Sequence, residues 1–220
     1  MKFTCISDTH RTFPIPDKGG DVFIHAGDFS LLSPQFRENY MVLKKEFDDF
    51  KRYLVQIRKK FRHVIFVPGN HDFIFENFEK EVREELANIK VNLLINQPLN
   101  IDGVKIWGSP ITPPFNNWAF SLPDIARESL WDTIPEDTDI LVTHGPPLQI
   151  LDKCPNGNVG CVYLSEKTRQ LRPKYHVFGH IHESHGSAKV LDTQHYNVSY
   201  MDGMYQPAHD FTTFKIKKIA

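Results

Sequence analysis

Asp, Asn and His gather in five short clusters along this sequence, most of them beside glycine. They are Asp8-Thr9-His10, Gly27-Asp28, Gly69-Asn70-His71-Asp72, His144-Gly145 and Gly179-His180-Ile181-His182. Such a mix of carboxylate, amide and imidazole is a donor set for divalent metals. Asp8, His10, Asp28, Asn70, His144, His180 and His182 make seven candidate ligands. Seven serve two ions if one carboxylate bridges them and a hydroxide fills the gap. Two ions about 3.5–4 Å apart can clamp the attacking and leaving oxygens of an in-line displacement. Two divalent charges outweigh two aspartates, so an anionic phosphate ester is the natural guest. His71, beside the candidate ligand Asn70, is placed to protonate the leaving oxygen or to stabilise the transition state. Any one cluster is a weak signal, because a lone histidine is usually a core or capping residue. The series in order is a strong one.

Each cluster follows at once on a short apolar run. Residues 2–6, 21–25, 63–67, 139–143 and 175–178 are rich in Val, Ile and Phe and read as buried strands. Ligand crevices in open α/β sheets lie outside the carboxyl ends of the strands, so the five clusters are expected to converge. The glycines let the chain turn sharply enough to aim these side chains inward. Phe47, Phe50, Leu54, Ile57 and Phe61 have the spacing of an amphipathic helix. A second helix, with a Glu-rich start, is expected over 77–89. Strands are expected over 91–95, 99–101 and 104–107, the last two joined by the hairpin signal Asp102-Gly103. Helices near 124–131 and 159–171 follow, then strands over 189–191, 195–198 and 212–216. Alternating strands and helices point to an α/β fold, with two packed sheets and helices outside.

The 220 residues are 40% hydrophobic, which suits one domain spanning 1–220. A formal net charge of −1 supplies no extended surface for nucleic acid. The basic residues of 44–62 interleave with Glu46, Asp48 and Asp49 as on a solvated helix face, and the basic tail at 215–218 is too short to read as a localisation signal. No apolar run approaches the roughly 18 residues of a spanning helix, and MKFTCISDTH lacks a signal-peptide core. Cys5, Cys154 and Cys161 form no CxxC pair. A cytoplasmic protein without a membrane partner is therefore expected. Oligomeric state is not legible.

The loop 108–120 (GSPITPPFNNWAF) is long and rich in Pro and Asn. Phe115, Asn116, Asn117 and Trp118 could form one wall of a substrate pocket, or a surface loop pinned by buried aromatics. His25, His63 and His176 lie in or beside strands and read as structural. His185 could reach the pocket rim but is expected in solvent; His195 and His209 have no evident partner.

The series DTH, GD, GNHD, THG and GHIH, spanning residues 8–182, resembles the metallophosphoesterase, or calcineurin-like phosphoesterase, superfamily. That resemblance implies an αββα sandwich and a dinuclear centre of manganese, iron or zinc, with Mn2+ expected first. It assigns Asp8, His10 and His182 to one metal and Asn70, His144 and His180 to the other, with Asp28 bridging and His71 catalytic. ISDTH, DVFIHAGDF, IWGSP, THGPP, VGCV and HVFGHIHE are similar to the small metallophosphoesterase-domain-containing (MPPED) group. Members hydrolyse phosphodiesters, including cyclic nucleotides in some cases. Some relatives carry glycine where this chain has His180, so the ligand set here looks complete. By the same resemblance Asn197 would lie near the metals and touch substrate. Protein phosphatases of the superfamily carry Val-Asp-Arg-Gly after GD and end the third motif in Glu, whereas here Phe29-Ser30-Leu31 and Asp72 stand. Apart from Arg11, no arginine adjoins the motifs to clamp a dianionic monoester. The expected activity is hydrolysis of a small diester or nucleotide. A phosphomonoesterase with the same centre and a non-catalytic nucleotide-binding or scaffold protein are the alternatives.

Overall fold

The computed structural model describes residues 1–217; Lys218 of the basic tail lies outside them. The chain runs β1 (Lys2–Ile6), β2 (Gly20–His25), α1 (Tyr40–Arg58), β3 (Phe61–Phe66), α2 (Ile74–Asn77), α3 (Glu79–Asn88) and β4 (Val91–Leu93). Then come β5 (Gln97–Ile101), β6 (Val104–Ser109), α4 (Asp124–Trp131), β7 (Ile140–Thr143), β8 (Lys153–Cys154) and β9 (Gly157–Asn158). The last elements are α5 (Val162–Leu171), β10 (Tyr175–Phe178), β11 (Gly186–Val190), β12 (Thr193–Asn197) and β13 (Thr212–Lys215).

One sheet has the order β13-β1-β2-β3-β4 and the other β11-β12-β10-β7-β6-β5. Strands β1 to β4 are parallel, as are β6, β7, β10 and β12, while β13, β5 and β11 pair antiparallel at the edges. Alternation along the strands then sorts the side chains. Phe3, Cys5, Val22, Ile24 and Ile65 meet Ile106, Ile140, Val142 and Val177 between the sheets. The opposite faces hold Phe23, Val64 and Phe66, and Trp107 and Leu141. These are covered by Phe47, Phe50, Leu54 and Ile57 of α1 and by Trp131 and Leu164 of α4 and α5. The result is an αββα sandwich.

The five strands expected ahead of the clusters all form, within a residue or two. Phe61 does not close α1; it opens β3, because α1 ends at Arg58 and Phe61 is needed, buried, beside Phe23. The helix expected over 77–89 breaks at Phe78, whose φ of −134° is not helical. The β8–β9 hairpin is additional to the expected strands; Gly157, at φ +111°, opens β9 directly after the turn. All three cysteines are free. No helix among the described residues is long and apolar enough to cross a membrane.

The two sheets also meet directly at their carboxyl ends. Ser7, just past β1, donates its N–H to Val198 O (3.0 Å) and accepts from Tyr200 N–H (2.9 Å), bridging Ser7 to Ser199.

Candidate metal centre

The five clusters sit on the turns after β1, β2, β3, β7 and β10, and the turns are tight. Asp8, His10, Asp28 and His180 adopt φ of 52°, 39°, 57° and 71°. This is the left-handed region that Asp, Asn and His tolerate better than other non-glycine residues. A Cβ on Gly69 would stand 2.2 Å from Asp28 Oδ1, and one on Gly179 would stand 2.1 Å from Asp8 Oδ2. Only glycine lets those loops approach the carboxylates so closely.

Three groups of donors result: Asp8, His10 and His182; His10, Asp28 and His71; and Asp28, His144 and His180, the atoms of each group lying within 4.8 Å of one another. Asn70 joins the third group, its Oδ1 lying 2.9 Å from His144 Nε2. Backbone carbonyls fix the ring tautomers. His10 Nδ1 faces Ser30 O at 2.7 Å, His182 Nδ1 faces Asp202 O at 3.0 Å, and His144 Nδ1 faces Ala26 O at 2.9 Å. A carbonyl can only accept, so each Nδ1 carries the hydrogen and each Nε2 points inward. His10 Nε2 and His182 Nε2 then confront each other at 3.2 Å. When both rings are neutral their lone pairs repel; a proton on His182, whose pKa the adjoining Asp8 raises against burial, or a cation held between the rings removes the repulsion. The donor set therefore fits divalent metal.

The carboxylates are poised for the same role. Burial opposes ionisation of Asp8, but His182, His144 and His10 outweigh it and hold the carboxyl well below its ordinary range. Burial likewise opposes ionisation of Asp28, and His144, His71 and His10 again prevail. Without metal, burial pulls His144 down, yet Asp28 (3.3 Å from its Nε2) and Asp8 carry it up to about 9. For His180, burial and the neighbouring His144 outweigh the pull of Asp28 and Asp8 and push it down to about 3. His71 donates its backbone N–H to Asp28 Oδ1 (2.8 Å) and its Nδ1–H to Leu32 O (2.9 Å), which leaves Nε2 toward the cluster, 4.0 Å from Asp28 Oδ2.

The substrate candidates separate. Trp118 packs its ring 4.2 Å from that of His71. Asn117 is held at the rim by Arg37, whose Nη1 donates to its Oδ1 at 2.8 Å, and Phe115 is 64% exposed. Asn197 does not face the cleft. It is fully buried, and its amide donates to Ile181 O (2.8 Å) and Leu151 O (3.2 Å). Its Oδ1 accepts from Ser199 N–H (3.1 Å), and the one hydroxyl hydrogen of Ser199 lies within reach of both that Oδ1 (2.8 Å) and Asp8 Oδ2 (2.9 Å), so Asn197 supports a candidate ligand from behind.

Several contributors escaped the sequence reading. Ser7 and Ser199 donate to Asp8, and the backbone N–H of His180 does so at 3.0 Å. Asp72 ties two loops together by accepting from Asp28 N–H (2.9 Å), Gly69 N–H (2.8 Å) and Ser30 N–H (3.1 Å). Tyr205 lays its ring 4.9 Å from those of both His10 and His182. Ser7 and Asp72 lie inside the ISDTH and GNHD motifs, a signal that could have found them; nothing in the local sequence marks Tyr205. A cavity of about 650 Å³ at the opposite ends of the strands, lined by Lys174, Tyr175, Lys189, Tyr196 and Lys215, shares no residue with the cluster.

His25 is structural, as expected. Its Nδ1 accepts from Gly27 N–H (3.3 Å) and its Nε2–H donates to Thr9 Oγ1 (3.1 Å), which fixes a neutral ring. Burial pushes its pKa down to about 3, against the pull of Asp8 and Asp28. A depressed histidine stabilises the fold above its unfolded value of about 6.5, and that contribution is lost as pH falls towards 3. At pH 4.5 the loss from His25 amounts to about 2–3 kcal/mol. Denaturant midpoints of the metal-free protein should therefore fall between pH 6.5 and 4.5, and less steeply in His25→Gln. Parallel pH profiles for the two proteins would show that His25 is not the buried neutral group described.

Comparison with known proteins gives a consistent picture. A family model described as calcineurin-like phosphoesterase matches residues 1–184. Human metallophosphoesterase domain-containing protein 1 is 36% identical over 234 aligned positions, covering 94% of this chain and 68% of the human protein. The UPF0046 protein K07C11.7 of Caenorhabditis elegans is 34% identical, covering 90% of this chain and 69% of that protein. One crystal structure superposes with a TM-score of 0.74 at 15% identity, over 98% of this chain and 99% of its own. The TT1561 protein of Thermus thermophilus follows at a TM-score of 0.59 and 14% identity, over 89% of this chain and 88% of its own. At such identities the structural likeness speaks to the fold alone.

Proposed function

Because the chain belongs to the calcineurin-like phosphoesterase family, we propose that it is a dinuclear metal-dependent phosphodiesterase acting on a small diester such as a cyclic nucleotide. The observation that carries this reading is the pair of inward Nε2 atoms of His10 and His182 at 3.2 Å, beside a second donor group built on Asp28. Asp8, His10 and His182 would hold one ion and Asn70, His144 and His180 the other, with Asp28 available to both. Mn2+ is the first candidate, with iron and zinc as alternatives. Bound there, two divalent ions would supply positive charge for the phosphoryl oxygens and a water acidic enough to act near neutral pH.

The protein's own residues do the rest. Carbonyls of Ser30, Ala26 and Asp202 orient the imidazoles, and Ser7 and Ser199 orient Asp8. His71 presents Nε2 to the leaving oxygen and delivers a proton there, its ring braced by Leu32 O and Trp118. The preference for a diester rests on charge. Arg11 pairs with Glu46 at 3.4 Å and Arg37 with Glu76 at 2.6 Å, so neither guanidinium is spare for the second negative charge of a monoester. Turns from both sheets contribute, which supports residues 1–220 acting as one catalytic domain. The free cysteines support a reducing, cytoplasmic setting.

Metal-stripped protein reconstituted with Mn2+ should hydrolyse bis-p-nitrophenyl phosphate faster than p-nitrophenyl phosphate. Faster turnover of the monoester would make the protein a phosphomonoesterase. Absence of turnover with manganese, iron or zinc in folded protein would leave a binding or scaffold role.

A further inference from the structure

Tyr205 is an aromatic residue at 47% exposure whose ring stands 4.9 Å from two candidate metal ligands, His10 and His182. Exposed aromatics are ordinary on loops, but this one is held in place. Asp202 Oδ1 accepts from Met204 N–H (2.8 Å) and Gln206 N–H (2.9 Å). Asp202 N–H donates to Gln206 O (2.9 Å), and Tyr205 N–H to Asp202 O (2.9 Å). A bridge between Met201 and Pro207 closes the turn at its base. Inside it Tyr205 adopts φ 58°, a conformation that costs a tyrosine free energy and persists only because the turn enforces it. The same Asp202 carbonyl receives the Nδ1–H of His182. One turn thus orients a candidate ligand and fixes an aromatic ring beside it.

On the other side of the cluster stands Trp118. The rings run in a chain: Trp118 lies 4.2 Å from His71, His71 lies 4.9 Å from His10, and His10 lies 4.9 Å from Tyr205. A floor of imidazoles is bounded by an indole near the leaving-group side and a phenol near the first ligand group. Rigid aromatic side chains bind flat groups with little loss of conformational freedom.

We propose that Tyr205 is a specificity-determining residue, whose exposed ring stacks on a flat aromatic ester group, such as a nucleobase or aryl ring, while the phosphoryl group lies on the imidazole floor. This rests on the phosphoester-hydrolase reading of the site and names the kind of ester it favours.

Phenylphosphonate and methylphosphonate test it, because they differ only in the ring and neither offers a P–O–C bond to hydrolyse. Calorimetric titration of the manganese-loaded protein should show phenylphosphonate binding about tenfold or more tighter. Tyr205→Leu should shrink that ratio to about twofold or less, leaving methylphosphonate affinity and metal content unchanged. Leucine already occupies positive φ at Leu151 and Leu191, so the turn accommodates it. Tyr205→Phe should keep the ratio. Equal weakening of both ligands in Tyr205→Leu, or loss of metal, would make the residue a support for His182 and overturn the proposal. So would a wild-type ratio near one, failure of the loaded protein to bind phenylphosphonate, or a ratio abolished by Trp118→Leu but untouched by Tyr205→Leu. Intact ring preference in a protein that turns over no phosphate ester would defeat the phosphodiesterase reading and leave the Tyr205 assignment standing.

Discussion

Asp28→Ala is expected to lower kcat/KM on bis-p-nitrophenyl phosphate by about 10³-fold or more, with loss of bound manganese. Asp28 is the carboxylate that two of the donor groups share, reaching both His71 and the His144–His180 pair. Removing it takes away the negative charge that neighbouring ions would have in common, and like charges then repel in a buried site. It also strips the acceptor from His71 N–H, so His71 loses an anchor. Asp28→Asn keeps the shape but not the charge, and should fall between wild type and alanine in metal content. The measurement is metal content beside steady-state kinetics, with a thermal melt to confirm folding. Wild-type activity and stoichiometry in folded Asp28→Ala would remove Asp28 from the centre and leave two separate sites.

His71→Ala is expected to lower kcat by about 10²–10⁴-fold with metal content unchanged. The difference from Asp28 follows from how His71 is held. Its backbone N–H and its Nδ1–H are both committed, to Asp28 Oδ1 and Leu32 O, so Nε2 is the nitrogen left to meet a leaving oxygen. A general acid matters most when the departing group is a poor one. The loss should therefore be steep for an alkyl ester and mild for p-nitrophenolate, which leaves without help. Equal losses on both would recast His71 as a charge stabiliser. An unchanged kcat on the alkyl ester would remove it from the reaction.

The centre was legible in the sequence because each of its side chains follows directly on a strand. Runs such as Lys2–Ile6 and Tyr175–Phe178 announce themselves by β-branched and aromatic content, and the first polar residue after them must lie at the sheet's edge. The convergence of Asp8 with His182, far apart in sequence, then follows from parallel strands sharing one carboxyl end. What the sequence hid depends on tertiary closure. Asn197, which ends β12, reads as a substrate contact by the family resemblance alone. Only the bridge between Ser7 and Ser199 reveals that this edge is sealed, with the amide turned to Ile181 O. Phe61 fits the period of α1 and the alternation of β3 equally well, and the end of the helix at Arg58 decides between them. Tyr205 had no signal at all, because a turn closed by Asp202 has no periodicity to read.

The left-handed backbone at Asp8, His10, Asp28 and His180 restricts how such a centre can change over time. Each position selects its residue twice, once as a donor and once as an occupant of a conformation that most side chains resist. Aspartate and histidine pass both filters. Glutamate and cysteine pass only the first without cost, so a change of metal by ligand exchange would carry a conformational penalty. Lineages that depart from this set are therefore channelled towards glycine, which loses a donor, or asparagine, which keeps one without its charge.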